Sequence, residues 1–121
     1  MTNKERRQFP RYTVPGKTIA ITPHNLGQVL DISLDGCAIK YIGEDTLLNS
    51  NDYIDILMKE AKNKGFYLEK IPINMVWENS PDFSAFSTIV VKKVGMKFKE
   101  LSAIQQQELQ IFIENYGIAE A

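Results

Sequence analysis

Apolar and polar residues alternate along most of this chain, which is the pattern of β-strands that bury one face. The alternating or β-branched runs span residues 17–21, 28–33, 37–41, 53–58, 67–77, 84–91 and 94–98. Short polar connections separate them, so neighbouring strands are expected to run antiparallel. The pattern therefore predicts six or seven antiparallel strands.

Four residues in or between these runs predict local features of the backbone. The pair Asp35-Gly36 stands between the second and third runs and predicts a tight hairpin, because both residues readily take positive φ angles. Pro72 cannot donate a ladder hydrogen bond, so it predicts an edge position or a bulge. Gly95 predicts a bulge or a close backbone approach in the last run.

Near the C-terminus the spacing of the apolar residues changes from that of a strand to that of a helix. Apolar residues recur there with helical spacing, at Leu109, Phe112, Ile113 and Tyr116. Ser102 and Gln105 have the spacing of a capping box, and Gly117 is a natural stop, so a helix is expected over about 102–116. The predicted fold is mainly β: a small antiparallel barrel of six or seven strands, with the C-terminal helix against it or across its mouth.

Composition adds the class of protein. A chain of 121 residues with 44% hydrophobic and 24% charged residues is ordinary for one globular domain. Its apolar runs are too short to span a membrane, and no apolar stretch follows the N-terminal charges as in a secretory signal. The single cysteine, Cys37, lies in a strand-like run and is expected to be a buried, inert thiol. The cytoplasm is the expected compartment.

The positive charge is concentrated at one end of the chain. All three arginines, Arg6, Arg7 and Arg11, lie within six residues. Residues 1–17 hold five cations against one carboxylate, a net +4, which leaves −5 for the rest of a chain whose total is −1. We therefore expect a flexible basic arm over 1–12 and an acidic barrel body over 13–121, an arrangement that concentrates an anion at one place.

A second polar segment complements the arginines. Asp31, Ser33 and Gly36 lie within six residues and supply a carboxylate, a hydroxyl and a position without a side chain. A guanidinium can bind a phosphate or a guanine edge through two bonds at once. Together the segments indicate a receptor for a small, anionic, guanine-bearing ligand. Taken singly, the arm could be a solvated tail and the second segment only a hairpin with a local cap.

The residue types give little support for catalysis or metal binding. One histidine, His24, and one cysteine, Cys37, give no evident nucleophile–base pair and no metal cluster. We therefore predict neither catalytic nor metal-binding residues. Trp77 is interpreted as a core residue, with stacking on a base as the alternative.

The chain resembles the PilZ domain family, bacterial receptor modules for the second messenger cyclic di-GMP (c-di-GMP). Arg7-Gln8-Phe9-Pro10-Arg11 matches the family's Arg-x-x-x-Arg, and the segment from Asp31 to Gly36 matches its Asp/Asn-x-Ser-x-x-Gly. Residues 74–77 and 94–98 resemble its late Val-x-Trp and Gly-hydrophobic-basic-Phe strands. The similarity runs from about residue 5 to 116 and implies the split barrel of stand-alone members.

The resemblance also implies a ligand-binding set: Arg6, Arg7, Arg11, Asp31, Ser33 and Gly36. Arg7 and Arg11 would contact phosphates and the O6/N7 edge of guanine, and Arg6 would be an auxiliary phosphate contact. Asp31 would accept from the N–H edge of guanine. Ser33 would add a hydroxyl contact, and Gly36 would let the backbone come close to the ligand.

The expected function is that of a cytoplasmic receptor rather than an enzyme. It would bind c-di-GMP, order its N-terminal arm and present the new surface to a protein partner of unknown identity. No cofactor, DNA partner or membrane insertion is expected. Two alternatives remain: a small barrel that binds single-stranded nucleic acid, and a protein-interaction adaptor that uses no ligand.

Overall fold

The computed structural model describes residues 9–23, 26–42, 52–59, 65–79 and 91–120. Within these ranges the chain forms seven β-strands and one α-helix. They are β1 (Tyr12–Thr13), β2 (Ile19–Ile21), β3 (Leu26–Ile32), β4 (Gly36–Ile42), β5 (Tyr53–Lys59), β6 (Gly65–Asn79), β7 (Val91–Phe98) and α1 (Ala103–Tyr116).

Six of these strands close into an antiparallel barrel. The order around it is β3, β2, β5, β6, β7 and β4, and β4 pairs with β3 again to complete the circle. The short strand β1 also pairs with β3, where Tyr12 lies opposite Ile32 and Thr13 opposite Asp31. The predicted small antiparallel barrel with a C-terminal helix is confirmed.

The barrel interior is filled by the alternate residues that produced the sequence pattern. In β5, Ile54, Ile56 and Met58 are buried, while Tyr53 on the other face is exposed. Successive side chains of a strand point to opposite faces, so one face of β5 supplies the core and the other lies nearer the surface.

The helix α1 packs against the barrel through its apolar stripe. Leu109 and Phe112 are buried, and the Phe112 ring lies 4.9 Å from the Phe66 ring of β6, measured between centroids. Ser102 Oγ accepts from the Gln105 N–H at 3.1 Å, and the Gln105 side chain accepts from the Ser102 N–H at 3.0 Å. The predicted helix and its capping box are confirmed.

A bulge interrupts the pairing of β5 with β6. Glu69 and Lys70 together face Asp55, and Lys70 takes a φ of 50°. The Lys70 N–H donates to Asp55 Oδ1 at 2.8 Å, which holds this left-handed backbone in place. Pro72 itself pairs with Tyr53 in register, so the predicted bulge lies two residues before the proline rather than at it.

Two details of the sequence prediction are wrong. The last strand does not begin at Val94: β7 is continuous from Val91, because Lys92 and Lys93 stay in register with β4. The rest of the predicted 84–91 strand lies outside the described residues. The hairpin between β3 and β4 is present, but neither Asp35 nor Gly36 has a positive φ, since Gly36 already belongs to the extended strand β4.

The single thiol lies inside the barrel wall next to the hairpin. Cys37 is fully buried, as predicted, between its strand partners Ile32 and Met96. Burial raises the pKa of the Cys37 thiol to about 12; the Asp31 carboxylate adds to the rise and Arg11 opposes it. The thiol is therefore protonated at neutral pH, and thiolate chemistry is disfavoured there.

Candidate functional site

The pairing of β1 with β3 brings the two predicted motifs together. Arg11 directly precedes β1, and the register of that strand places it beside the end of β3. Arg11 Nη1 lies 3.1 Å from Asp31 Oδ1, and the two side chains are 23% and 22% exposed. A guanidinium and a carboxylate that are 20 residues apart in sequence thus form one partly exposed ion pair.

Ser33 is placed differently from what a direct ligand contact requires. Its side chain is fully buried, and its hydroxyl donates to Asp35 Oδ1 at 2.5 Å. The Asp35 N–H in turn donates to Ser33 Oγ at 3.2 Å, and the Ser33 N–H donates to the Gly36 carbonyl at 2.8 Å. In this structure Ser33 holds the hairpin together and orients the carboxylate of Asp35.

Gly36 has a structural reason for lacking a side chain. It lies opposite Lys97 in the β4–β7 ladder, and a Cβ built on it would collide with the backbone carbonyl of Met96. Any larger residue would push the two strands apart. The close approach seen at Gly36 is therefore one between two strands of the barrel, and its predicted approach to a ligand stays a prediction.

A second bulge positions the tryptophan. In β6, Met75 lies opposite Met96 and Trp77 lies opposite the next residue of β7, Gly95. Val76, which stands between them in the sequence, is therefore an extra, bulged residue. The indole occupies the space that a Cβ of Gly95 would take, which confirms the predicted close approach at this glycine. Trp77 is 42% exposed. Its interpretation as a core residue is wrong, because the bulge turns the side chain out of the interior.

These features meet in a small surface cleft. It has a volume of about 150 Å³ and is lined by Arg11, Asp35, Val76, Trp77, Gly95, Met96 and Lys97. It combines a planar cation, a carboxylate, an aromatic face and an ammonium group. A planar, polar ring could stack on the indole while its edges meet the charged groups.

A larger groove also has Asp35 in its lining. It has a volume of about 510 Å³ and runs between the β3–β4 hairpin and α1. Its walls include Phe9, Leu34 and Asp35 on one side and Leu109 and Gln110 of the helix on the other. Asp35 therefore lines both concave surfaces.

The structure places some of the predicted ligand-binding residues together and others apart. Arg11 and Asp31 are in contact, while Ser33 and Gly36 lie behind them in the hairpin. Arg6 and Arg7, like His24, lie outside the described residues. Two charged residues of the cleft, Asp35 and Lys97, are not in the predicted ligand-binding set.

The signals for the two missed residues were weak. In the sequence, Asp35 indicates only a hairpin. Lys97 could have been found only from the register that places it opposite Gly36.

Two further properties concern the described parts of the chain alone. No three His, Cys, Asp or Glu side chains come together there in a way that could hold a metal ion. Among the same residues, no helix is long and apolar enough to cross a membrane.

The fold defines the chain as a small closed β-barrel module with a C-terminal helix. The family model of the PilZ domain matches residues 5–115, and the chain belongs to this family. The resemblance inferred from the two motifs is thereby confirmed. A comparison with curated protein sequences finds no match.

Two solved structures are similar to this one. The first is described as "PilZ domain with c-di-GMP of YcgR from Escherichia coli"; it has a TM-score of 0.57 and 15% identity, with 91% of this chain and 90% of that chain covered. At this identity the likeness shows a shared fold. The second, "MrkH, A novel c-di-GMP dependence transcription regulatory factor", has a TM-score of 0.47 and 13% identity, with 91% of this chain and 50% of that chain covered.

Proposed function

We propose that this protein is a receptor for c-di-GMP that passes the level of the messenger to a downstream protein. The observation that carries the proposal is the contact between Arg11 of the Arg-x-x-x-Arg motif and Asp31 of the Asp-x-Ser-x-x-Gly motif. It occurs in a PilZ domain, next to a cleft that also presents Trp77. The role proposed is that of a receptor, not of an enzyme.

The ligand suits the residue types of the site. Each guanine of c-di-GMP presents O6 and N7 as adjacent acceptors, which a guanidinium fork can contact together. Arg11 is already held at the rim of the cleft by Asp31, so less side-chain freedom is lost when it engages a base or a phosphate. Trp77 provides a face on which a base can stack, at a contribution of about 1–3 kcal/mol.

The charges of the described site indicate a role for the remaining arginines. Arg11 and Lys97 carry two positive charges, and the carboxylates of Asp31 and Asp35 cancel them. A neutral site has little attraction for a ligand with two phosphates. We therefore assign the phosphate contacts chiefly to Arg6 and Arg7, which precede Arg11 by five and four residues.

Ordering of the N-terminal arm, whose last predicted residue, Tyr12, already belongs to β1, is the mechanism that we propose for signal transmission. Strand β1 is fixed on both edges, because it pairs with β3 and because Thr13 exchanges hydrogen bonds with Ile118 and Ala119. The arm therefore continues from a firmly anchored point, directly beside Arg11. Bound ligand would hold residues 4–11 against the barrel and create a surface for the partner.

Amide hydrogen exchange tests this mechanism. Saturating c-di-GMP is expected to slow exchange in residues 4–11, while exchange in β5, remote from the motifs, stays unchanged. Exchange rates in the arm that do not respond to saturating ligand would contradict it.

Calorimetric titration tests the function itself. We expect c-di-GMP to bind with a Kd of about 1 μM or tighter. GTP, cyclic GMP and a short single-stranded oligonucleotide are the controls and are expected to bind at least about a hundredfold more weakly. Equally tight binding of the oligonucleotide would favour the nucleic-acid alternative. An absence of heat with c-di-GMP at about 1 mM would leave the ligand-independent adaptor.

A further inference from the structure

We infer that the carboxylate of Asp35 is a ligand-contacting residue that selects guanine over adenine. The inference rests on the proposed function, since it assigns a role within the same site. Asp35 occupies a variable position of the Asp-x-Ser-x-x-Gly motif, so the motif alone does not point to it.

The position of Asp35 is the first argument. It lines the cleft with Arg11 and Trp77 and also lines the larger groove beside α1. A base that stacks on the indole, with its O6/N7 edge towards Arg11, would turn its neighbouring edge towards other walls of the cleft. Asp35 is the carboxylate among the residues that line this cleft.

The orientation of Asp35 is the second argument. The buried hydroxyl of Ser33 donates to Oδ1, and the Asp35 carbonyl accepts from the Phe98 N–H at 2.8 Å. Both the side chain and the backbone of Asp35 are thus held before any ligand arrives. A carboxylate has about four acceptor positions. Within the described residues only the Ser33 hydroxyl donates to it, so acceptor capacity remains for a ligand.

Asp31 is less suited to the same role. Its Oδ1 is engaged by Arg11 at 3.1 Å, and separating this pair would leave both charges to find new partners. The geometry favours a division of work in which Asp31 holds Arg11 in place and Asp35 contacts the base.

The chemistry of the two bases explains the selectivity. The Watson–Crick edge of guanine offers two adjacent donors, N1–H and N2–H₂, that match the two oxygens of a carboxylate. Adenine offers there one donor, the N6 amino group, and one acceptor, N1. The lone pair of that acceptor would face a negative oxygen. A site built around hydrogen bonds rejects an analogue that leaves its polar groups unpaired.

The opposite hypothesis makes an opposite prediction. If Asp35 did not contact the ligand, its negative charge would only repel the phosphates, and its removal would strengthen binding. Asp35→Asn keeps the shape and an acceptor for Ser33 but removes the charge and one acceptor position. The sign of its effect therefore distinguishes the two roles.

The experiment compares the affinity of wild type and Asp35→Asn for c-di-GMP and for cyclic di-AMP. We expect the variant to bind c-di-GMP about tenfold more weakly or worse. Cyclic di-AMP is expected to bind equally well or better, so that the preference for guanine falls. Glu69→Gln makes the same charge change at an exposed position of β6 that lines neither cavity and should leave both affinities unchanged.

Ser33 provides an independent check. Ser33→Ala should weaken c-di-GMP binding because it releases Asp35, yet it should add little in the Asp35→Asn background. Equal or tighter binding of c-di-GMP by Asp35→Asn would overturn the inference about Asp35, whereas no binding by the wild type would overturn the proposed function instead. Circular dichroism verifies that each variant is folded.

Discussion

Replacing Arg11 with alanine is expected to weaken the binding of c-di-GMP by about ten- to a hundredfold. A hydrogen bond to a charged group contributes about 1.5–3 kcal/mol, and this variant removes the guanidinium fork at the rim of the cleft. It also leaves the Asp31 carboxylate without its cation, next to a ligand with two phosphates. Calorimetric titration of the variant measures the loss.

The fold of this variant should survive. The Arg11–Asp31 pair is partly exposed on both sides, and pairs of this kind contribute about 1 kcal/mol or less to stability. Arg11→Lys keeps the charge but not the fork and should fall between wild type and alanine. Lys59→Ala, at an exposed cation on β5, is the control and should bind normally. A Kd for Arg11→Ala within about threefold of wild type would refute the site assignment.

Strands such as β5 were predictable because buried residues alternate with more exposed ones along them. The alternation in β5 and the change of period before α1 are local signals that need no knowledge of the partners. Hairpin connections follow from the same signals. The two motifs could be predicted to meet only through the family resemblance, because the pairing of Thr13 with Asp31 is a property of the whole barrel.

The errors have a common physical origin in contacts between strands. A large aromatic side chain in a strand is usually buried, which predicts a core position for Trp77, but one extra residue at Val76 reverses its direction. Gly36 was recognised, but its reason is the carbonyl of Met96 on the neighbouring strand. Lys92 and Lys93 are two consecutive charged residues that break the alternation of the strand pattern, yet both stay in register with β4. None of these partners is close in sequence.

The helix offers the largest expected effect on stability. Phe112→Ala is expected to lower the free energy of unfolding by about 3–5 kcal/mol, the usual range for removal of a buried aromatic ring. Phe112 is fully buried, and its ring centroid lies 4.9 Å from that of Phe66 and 5.4 Å from that of Tyr116. A domain of this size is stable by about 5–15 kcal/mol, so the loss should be a large fraction of the total. Urea unfolding followed by circular dichroism measures it.

Ile111→Ala is the matched control, because Ile111 is the preceding residue of the same helix and is 42% exposed. It should change stability by no more than about 0.5 kcal/mol, and an equal loss in both variants would mean that α1 does not pack on the barrel in solution.

Phe112 lines neither the cleft nor the groove. Ligand at a hundred times its Kd should therefore stabilise Phe112→Ala by about the same 2.7 kcal/mol as wild type. A smaller gain would mean that the packing of the helix contributes to the site, through the groove that Leu109 and Gln110 line together with Asp35.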